Sequence, residues 1–144
     1  LKSTNSSVFS GCNLVRVAYN AIAMTTTSVF KDMVTLETVE FGDNVTSIPG
    51  QTFYGCTNLK NVTLPETVES ISYDVFRDCN SMTEIVLPES AILESRVFWG
   101  WTPEQKIYVK QSVYMAFRLW NTSWMEECRA TIIWDYVGTQ ESDS

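Results

Sequence analysis

A phenylalanine recurs along this chain at a nearly fixed interval, and that interval constrains the fold more than any other feature. It heads Phe9-Ser10-Gly11-Cys12, Phe30-Lys31-Asp32-Met33, Phe53-Tyr54-Gly55-Cys56, Phe76-Arg77-Asp78-Cys79 and Phe98-Trp99-Gly100-Trp101, with successive spacings of 21, 23, 23 and 22 residues. A period of this size marks a solenoid, in which each unit buries its apolar side only by stacking on its neighbours. A ladder-like surface then sets what the chain can do.

Between the phenylalanines the register also repeats. A leucine or methionine stands three residues after the Cys position (Leu36, Leu59 and Met82, with Leu14 one residue early) and opens an alternating segment. Leu36-Glu37-Thr38-Val39-Glu40-Phe41 matches Leu59-Lys60-Asn61-Val62-Thr63-Leu64 and Met82-Thr83-Glu84-Ile85-Val86-Leu87. Leu14 to Tyr19 fits the same scheme, as do Ile107 and Val109. Period-two alternation predicts strands with one buried and one solvated face. Val17/Tyr19, Val39/Phe41, Val62/Leu64, Ile85/Leu87 and Ile107/Val109 point inward, and the shared register predicts one parallel sheet. Gly42-Asp43, Pro65-Glu66 and Pro88-Glu89 end the strands, because proline has no ladder donor to lose there. A second short apolar pair closes each coil: Val45 with Ile48, Val68 with Ile71, and Ala91 with Leu93.

This pattern resembles the BspA-like leucine-rich repeats, a bacterial-type surface subclass also found in some protozoa. The residues that carry the resemblance are Leu59 to Pro65, Val68 to Ile71, and Phe76-Arg77-Asp78-Cys79, over about residues 1–110. The resemblance implies a leucine-rich-repeat solenoid and an extracellular or cell-surface module for adhesion and protein contacts, with a host or cell-surface protein as partner. The pattern departs from the family at Met33 and Trp101, which replace the repeat cysteine, and at Ala21 to Ser28, which is poor in apolar residues and rich in Thr.

Residues 111–136 look like that family's usual ending. Lys106-Ile107-Tyr108-Val109 resembles a final strand, and Gln111 to Trp120 places Val113, Ala116, Phe117 and Trp120 on one face of a helix. Ala130 to Trp134 adds a closing strand. Four of the five tryptophans lie within residues 99–124, which suits an aromatic plug on the apolar end that a solenoid must hide. Leu1 occupies the place that Val45 and Val68 hold eight residues before Phe, so the chain is expected to be the C-terminal piece of a longer array. Residues 137–144 are expected to form a flexible tail.

Composition narrows the function. With 44% hydrophobic and 19% charged residues the chain reads as a folded domain. A net charge of −7 opposes nucleic acid or an anionic membrane as partner, and no apolar run approaches the roughly 20 residues of a membrane span. Histidine is absent, which removes the commonest general base, the commonest metal ligand and every Ser-His or Cys-His pair. No glycine loop cradles a phosphate. A non-enzymatic protein without cofactor or metal is expected.

Cys12, Cys56 and Cys79 share one repeat position. A disulfide, a metal site or a nucleophile would use cysteine there, but replacement by Met33 and Trp101 marks an apolar filler. Cys128 belongs to the ending, and its pairing is not readable from spacing. Four sequons, at Asn5, Asn44, Asn61 and Asn121, are what a Thr/Ser/Asn-rich repeat generates by composition, and they gain meaning in a secreted eukaryotic protein.

The contact candidates are the outward strand positions. They form two ladders, Arg16, Thr38, Asn61, Glu84 and Lys106, and beside it Ala18, Glu40, Thr63, Val86 and Tyr108. Tyr54, Arg77 and Trp99 form a third column, expected to be exposed. Three functions fit these features. The first is an adhesion or protein-interaction module using the strand ladders. The second is a carbohydrate-binding module in which Tyr54, Trp99 and Tyr108 stack on sugar rings. The third is a passive spacer.

Overall fold

A computed structural model describes residues 13–20, 27–89, 91–109 and 123–133. The expected first Phe turn, the helix over 111–120, Trp134 and the tail lie outside these residues. Each unit winds one coil of a β-solenoid. Strands of the first face are β1 (Arg16–Tyr19), β2 (Thr38–Phe41), β4 (Asn61–Thr63), β6 (Glu84–Val86), β8 (Lys106–Tyr108) and β9 (Thr131–Ile133). Strands of the second face are β3 (Ser47–Ile48), β5 (Ser70–Ile71) and β7 (Ile92–Leu93). All pairings are parallel and hold the register of the repeat: Val17 faces Val39, Val39 faces Val62, and Ile85 faces Ile107. Short strands rich in β-branched residues suit this, since each is held by the strands above and below it.

One expectation needs correction. The repeat register predicts a single sheet on the first face, whereas the hydrogen-bonded order is β1-β2-β4 and, separately, β6-β8-β9. β4 and β6 are neighbours at the joint, and neither strand carries a proline or glycine that would explain the break.

Turn chemistry follows the sequence. Pro65 and Pro88 end their strands, and their carbonyls accept from the N–H groups of Val68 and Ala91 at 3.2 Å. The second-face pairs Val45/Ile48, Val68/Ile71 and Ala91/Leu93 are all buried. In the Phe turn two residues per coil adopt left-handed backbone, for example Gln51 (φ 60°) and Gly55 (φ 77°), then Asp74 (φ 56°) and Asp78 (φ 61°). The second of these sites runs Asp32, Gly55, Asp78, Gly100. A Cβ on Gly55 would collide with Asp32 Oδ1, and one on Gly100 with Asp78 Oδ1. At this site the Asp carboxylate reaches into the space that a Cβ on the next coil would need, which suits glycine there.

The core is the phenylalanine ladder. Phe30, Phe53, Phe76 and Phe98 stack at 5.7, 5.8 and 5.9 Å between ring centroids, within 7–9° of parallel. Leu36, Leu59, Met82, Ile85, Ile107 and Val109 pack beside it. Trp124 ends the stack, meeting Phe98 edge-on at 5.9 Å and 78°.

Residues 123–133 repeat the coil in shortened form. Glu126 and Cys128 donate to the carbonyls of Ser123 and Met125, as Trp99 and Trp101 donate to those of Arg96 and Phe98. Glu127 is left-handed at φ 53°. Met125 thus takes the Phe place, 27 residues after Phe98, and β9 pairs with β8 in the repeat register.

Candidate functional site

The two outward ladders lie where the register predicts them. Arg16, Thr38 and Asn61 are cross-strand partners, as are Ala18, Glu40 and Thr63. Beyond the break, Glu84 faces Lys106 and Val86 faces Tyr108. Arg16, Ala18, Glu40, Asn61, Thr63, Glu84 and Lys106 are exposed, while Thr38, Val86 and Tyr108 are half-buried. Arg16 forms an ion pair with Glu40, and Asn61 Nδ2 lies 3.5 Å from Thr38 Oγ1.

Side-chain length shapes this face. Thr38, Asn61 and Thr63 are short, whereas Arg16 and Glu40 on one side and Glu84 on the other are long. An open groove of about 500 Å³ runs along β2 and β4, lined by Thr38, Val39, Glu40, Phe41, Asp43, Asn61, Thr63 and Pro65. Its lining holds two carboxylates and no cation. Asp43 continues as an acidic row with Glu66 and Glu89, one per coil and all exposed.

The third column differs from expectation. Tyr54, Arg77 and Trp99 are half-buried, and they stack on one another. The Arg77 guanidinium sits 5.0 Å from the Tyr54 ring centroid and 4.5 Å from that of Trp99. Lys31 Nζ lies 5.1 Å from the Tyr54 centroid. Residues one position after each Phe thus form an alternating cation–π stack, each contact worth about 0.5–1 kcal/mol where partly solvated. Arg77 thus occupies one face of the Tyr54 ring and one face of the Trp99 ring. Arg77 also lies 3.6 Å from Asp74, which is buried and receives Arg96 Nε at 3.1 Å.

The cysteine position does more than fill space. Cys56 Sγ donates to the carbonyl of Phe30 at 3.0 Å, Cys79 Sγ to that of Phe53 at 3.1 Å, and Trp101 Nε1 to that of Phe76 at 3.0 Å. Each side chain thereby gives a second donor to a carbonyl of the preceding coil, which also accepts from the N–H of Met33, Cys56 or Cys79 in its own turn. Among the described residues the shared property is a proton donor, and Met33 is the exception. Burial pushes the Cys56 thiol up to about 12 and raises that of Cys79 well above its usual range, so both remain S–H donors and neither is an accessible nucleophile. Thr35, Asn58 and Ser81 cap carbonyls of Leu14, Val34 and Thr57 in the same way. Gln105 is buried, donating to the carbonyls of Cys79 and Met82 and accepting from the Thr102 N–H.

Among the described residues no group of three or more His, Cys, Asp or Glu side chains is placed to hold a metal ion, and no helix is long and apolar enough to cross a membrane. Asn44 and Asn61 are exposed, and the other two sequons lie outside the described residues.

Parallel coils with an inward leucine row, a buried phenylalanine ladder and a carbonyl-capping position define a leucine-rich-repeat solenoid. The chain belongs to the BspA-type leucine-rich repeat family, whose model matches residues 1–105 in six copies. Solved structures share the fold. A leucine-rich repeat protein from Bacteroides ovatus superposes with a TM-score of 0.67 at 20% identity, over 92% of this chain and 42% of that one. A leucine-rich cell-surface protein from Faecalibacterium prausnitzii gives 0.60 at 20%, over 96% and 31%. The leucine-rich repeat protein of T. pallidum gives 0.64 at 21%, over 93% and 67%. The chain thus spans less than half of the first two proteins. No curated protein matches its sequence.

Proposed function

We propose that this solenoid is a non-enzymatic interaction module that works at the cell surface or outside the cell, binding a host or cell-surface protein through the outward face of β2, β4, β6 and β8. The observation that carries this reading is the registered double ladder. It sets Glu40, Thr63, Val86 and Tyr108 beside Thr38, Asn61, Glu84 and Lys106 on one face, with a groove at its acidic end. This face is mostly polar, and Val86 and Tyr108 add an adjoining pair of larger apolar and aromatic side chains on β6 and β8. Family membership and a neighbour described as a cell-surface protein support the location. The Arg77 stack counts against a sugar platform at Tyr54 and Trp99.

The test is saturable binding of the purified chain to cell surfaces before and after enzymatic deglycosylation. Binding that survives supports protein-directed adhesion. Loss on deglycosylation favours the carbohydrate reading, and no binding in either state favours a spacer.

A further inference from the structure

The groove between β2 and β4 points to a particular partner chemistry. Its lining combines two carboxylates, Glu40 and Asp43, with the half-buried Phe41 and Pro65 and with the hydroxyl and amide groups of Thr38, Thr63 and Asn61. Lysine and arginine match this mixture: their methylene stems lie along apolar surface while the charged head reaches a polar site. The groove is open along the strands and its lining holds no competing cation. Its nearest cation on the ladder, Arg16, is exposed and paired with Glu40, an arrangement that costs little to exchange. The acidic row Asp43, Glu66 and Glu89 extends the negative field beyond the groove, and the chain's net charge of −7 has the same sign. Such a field draws cationic segments in and repels anionic ones.

We propose that this groove docks an extended, lysine- or arginine-bearing segment of the protein partner, with the cationic heads on Glu40 and Asp43 and the stems over Phe41 and Pro65. This rests on the reading of the strand face as the interaction surface, and it adds the partner's chemistry. Thr38, Asn61 and Thr63 supply hydrogen bonds to polar groups of the docked segment.

The probe is a fluorescein-labelled nonapeptide of alternating lysine and threonine, titrated with the whole chain and followed by anisotropy. Saturable binding at low salt is expected, falling at least tenfold in about 0.3 M salt as the charges are screened. The pair Glu40→Gln with Asp43→Asn should weaken it tenfold or more. The pair Glu69→Gln with Glu94→Gln, which removes equal charge beside the second face, should change it less than about twofold. All four substitutions are near-isosteric and at exposed residues, and melting curves verify that both variants fold.

Absence of saturable binding, or equal weakening by the two pairs, overturns the proposal. The broader reading fails separately. Cell-surface binding that is unchanged in the Glu40/Asp43 variant but lost with arginine at Thr38 and Thr63 overturns the cationic segment and keeps the strand face. Peptide binding with no cell-surface binding overturns the surface role and keeps the groove.

Discussion

Replacing Phe76 by alanine tests the stacked core at its centre. Phe76 is fully buried and lies between two parallel rings, Phe53 at 5.8 Å and Phe98 at 5.9 Å. Truncation of a buried Phe costs about 3–5 kcal/mol through lost transfer energy and the cavity left behind. Both stacking contacts go as well, each worth about 0.5–1.5 kcal/mol, which places Phe76→Ala near the upper end of that range. For a chain of this length about 2–4 °C is lost per kcal/mol, so Tm should fall by roughly 10–15 °C. Phe76→Leu keeps most of the volume and should cost about half as much. Urea titration followed by far-UV circular dichroism and tryptophan fluorescence gives the free energies, and it shows whether the coils still unfold together. A Phe76→Ala protein melting within about 3 °C of the parent would refute the ladder as the main source of stability.

Three further outcomes follow from the same packing. Trp101→Phe keeps an aromatic ring but removes the indole donor from the buried Phe76 carbonyl, which then keeps only the Cys79 N–H at 3.2 Å. Loss of that bond should cost about 0.5–1.5 kcal/mol by denaturant titration, and no measurable loss would make it unimportant. Burial holds Cys56 and Tyr19 at about 12 and raises Cys79, against unfolded values near 9 for the thiols and 10 for the phenol. The folded state therefore favours the protonated forms. Their contribution is complete below pH 9, and each thiol then removes up to about 1.4 kcal/mol per pH unit as pH rises toward 12. A urea midpoint that stays flat to pH 11 would contradict this. Asp74→Asn removes a buried carboxylate that two arginines share while still tolerating the left-handed backbone. It should destabilise the chain by about 1–3 kcal/mol, more than the same change at exposed Asp43.

Much of this architecture is readable from spacing because each coil repeats the same physical task. Val39, Ile85 and Ile107 point inward as alternation requires, and Ile48, Ile71 and Leu93 close the far side. Features that depend on a side chain meeting its counterpart one coil away are less visible. Arg77 looks like one polar residue in an aromatic column until the 4.5–5.0 Å stacking distances show it wedged between Tyr54 and Trp99. Cys56 and Cys79 read as fillers, and only their bonds to Phe30 and Phe53 reveal the donor they share with Trp101. Met125-Glu126-Glu127-Cys128 escapes the search because Met replaces Phe and the interval stretches to 27 residues. The groove is hidden too, because its lining brings together strand and turn residues of two coils, Glu40 and Asp43 with Thr63 and Pro65.

The central claim is that the face of β2, β4, β6 and β8 carries the binding. Its most direct test compares two folded variants in the cell-surface assay. Arginine at Thr38 and Thr63 crowds that face, and arginine at Ser47 and Ser70 crowds the second. The account predicts that the first variant loses saturable binding while the second binds as the parent does. Binding that survives the first change and disappears with the second would place the partner on the opposite side of the solenoid.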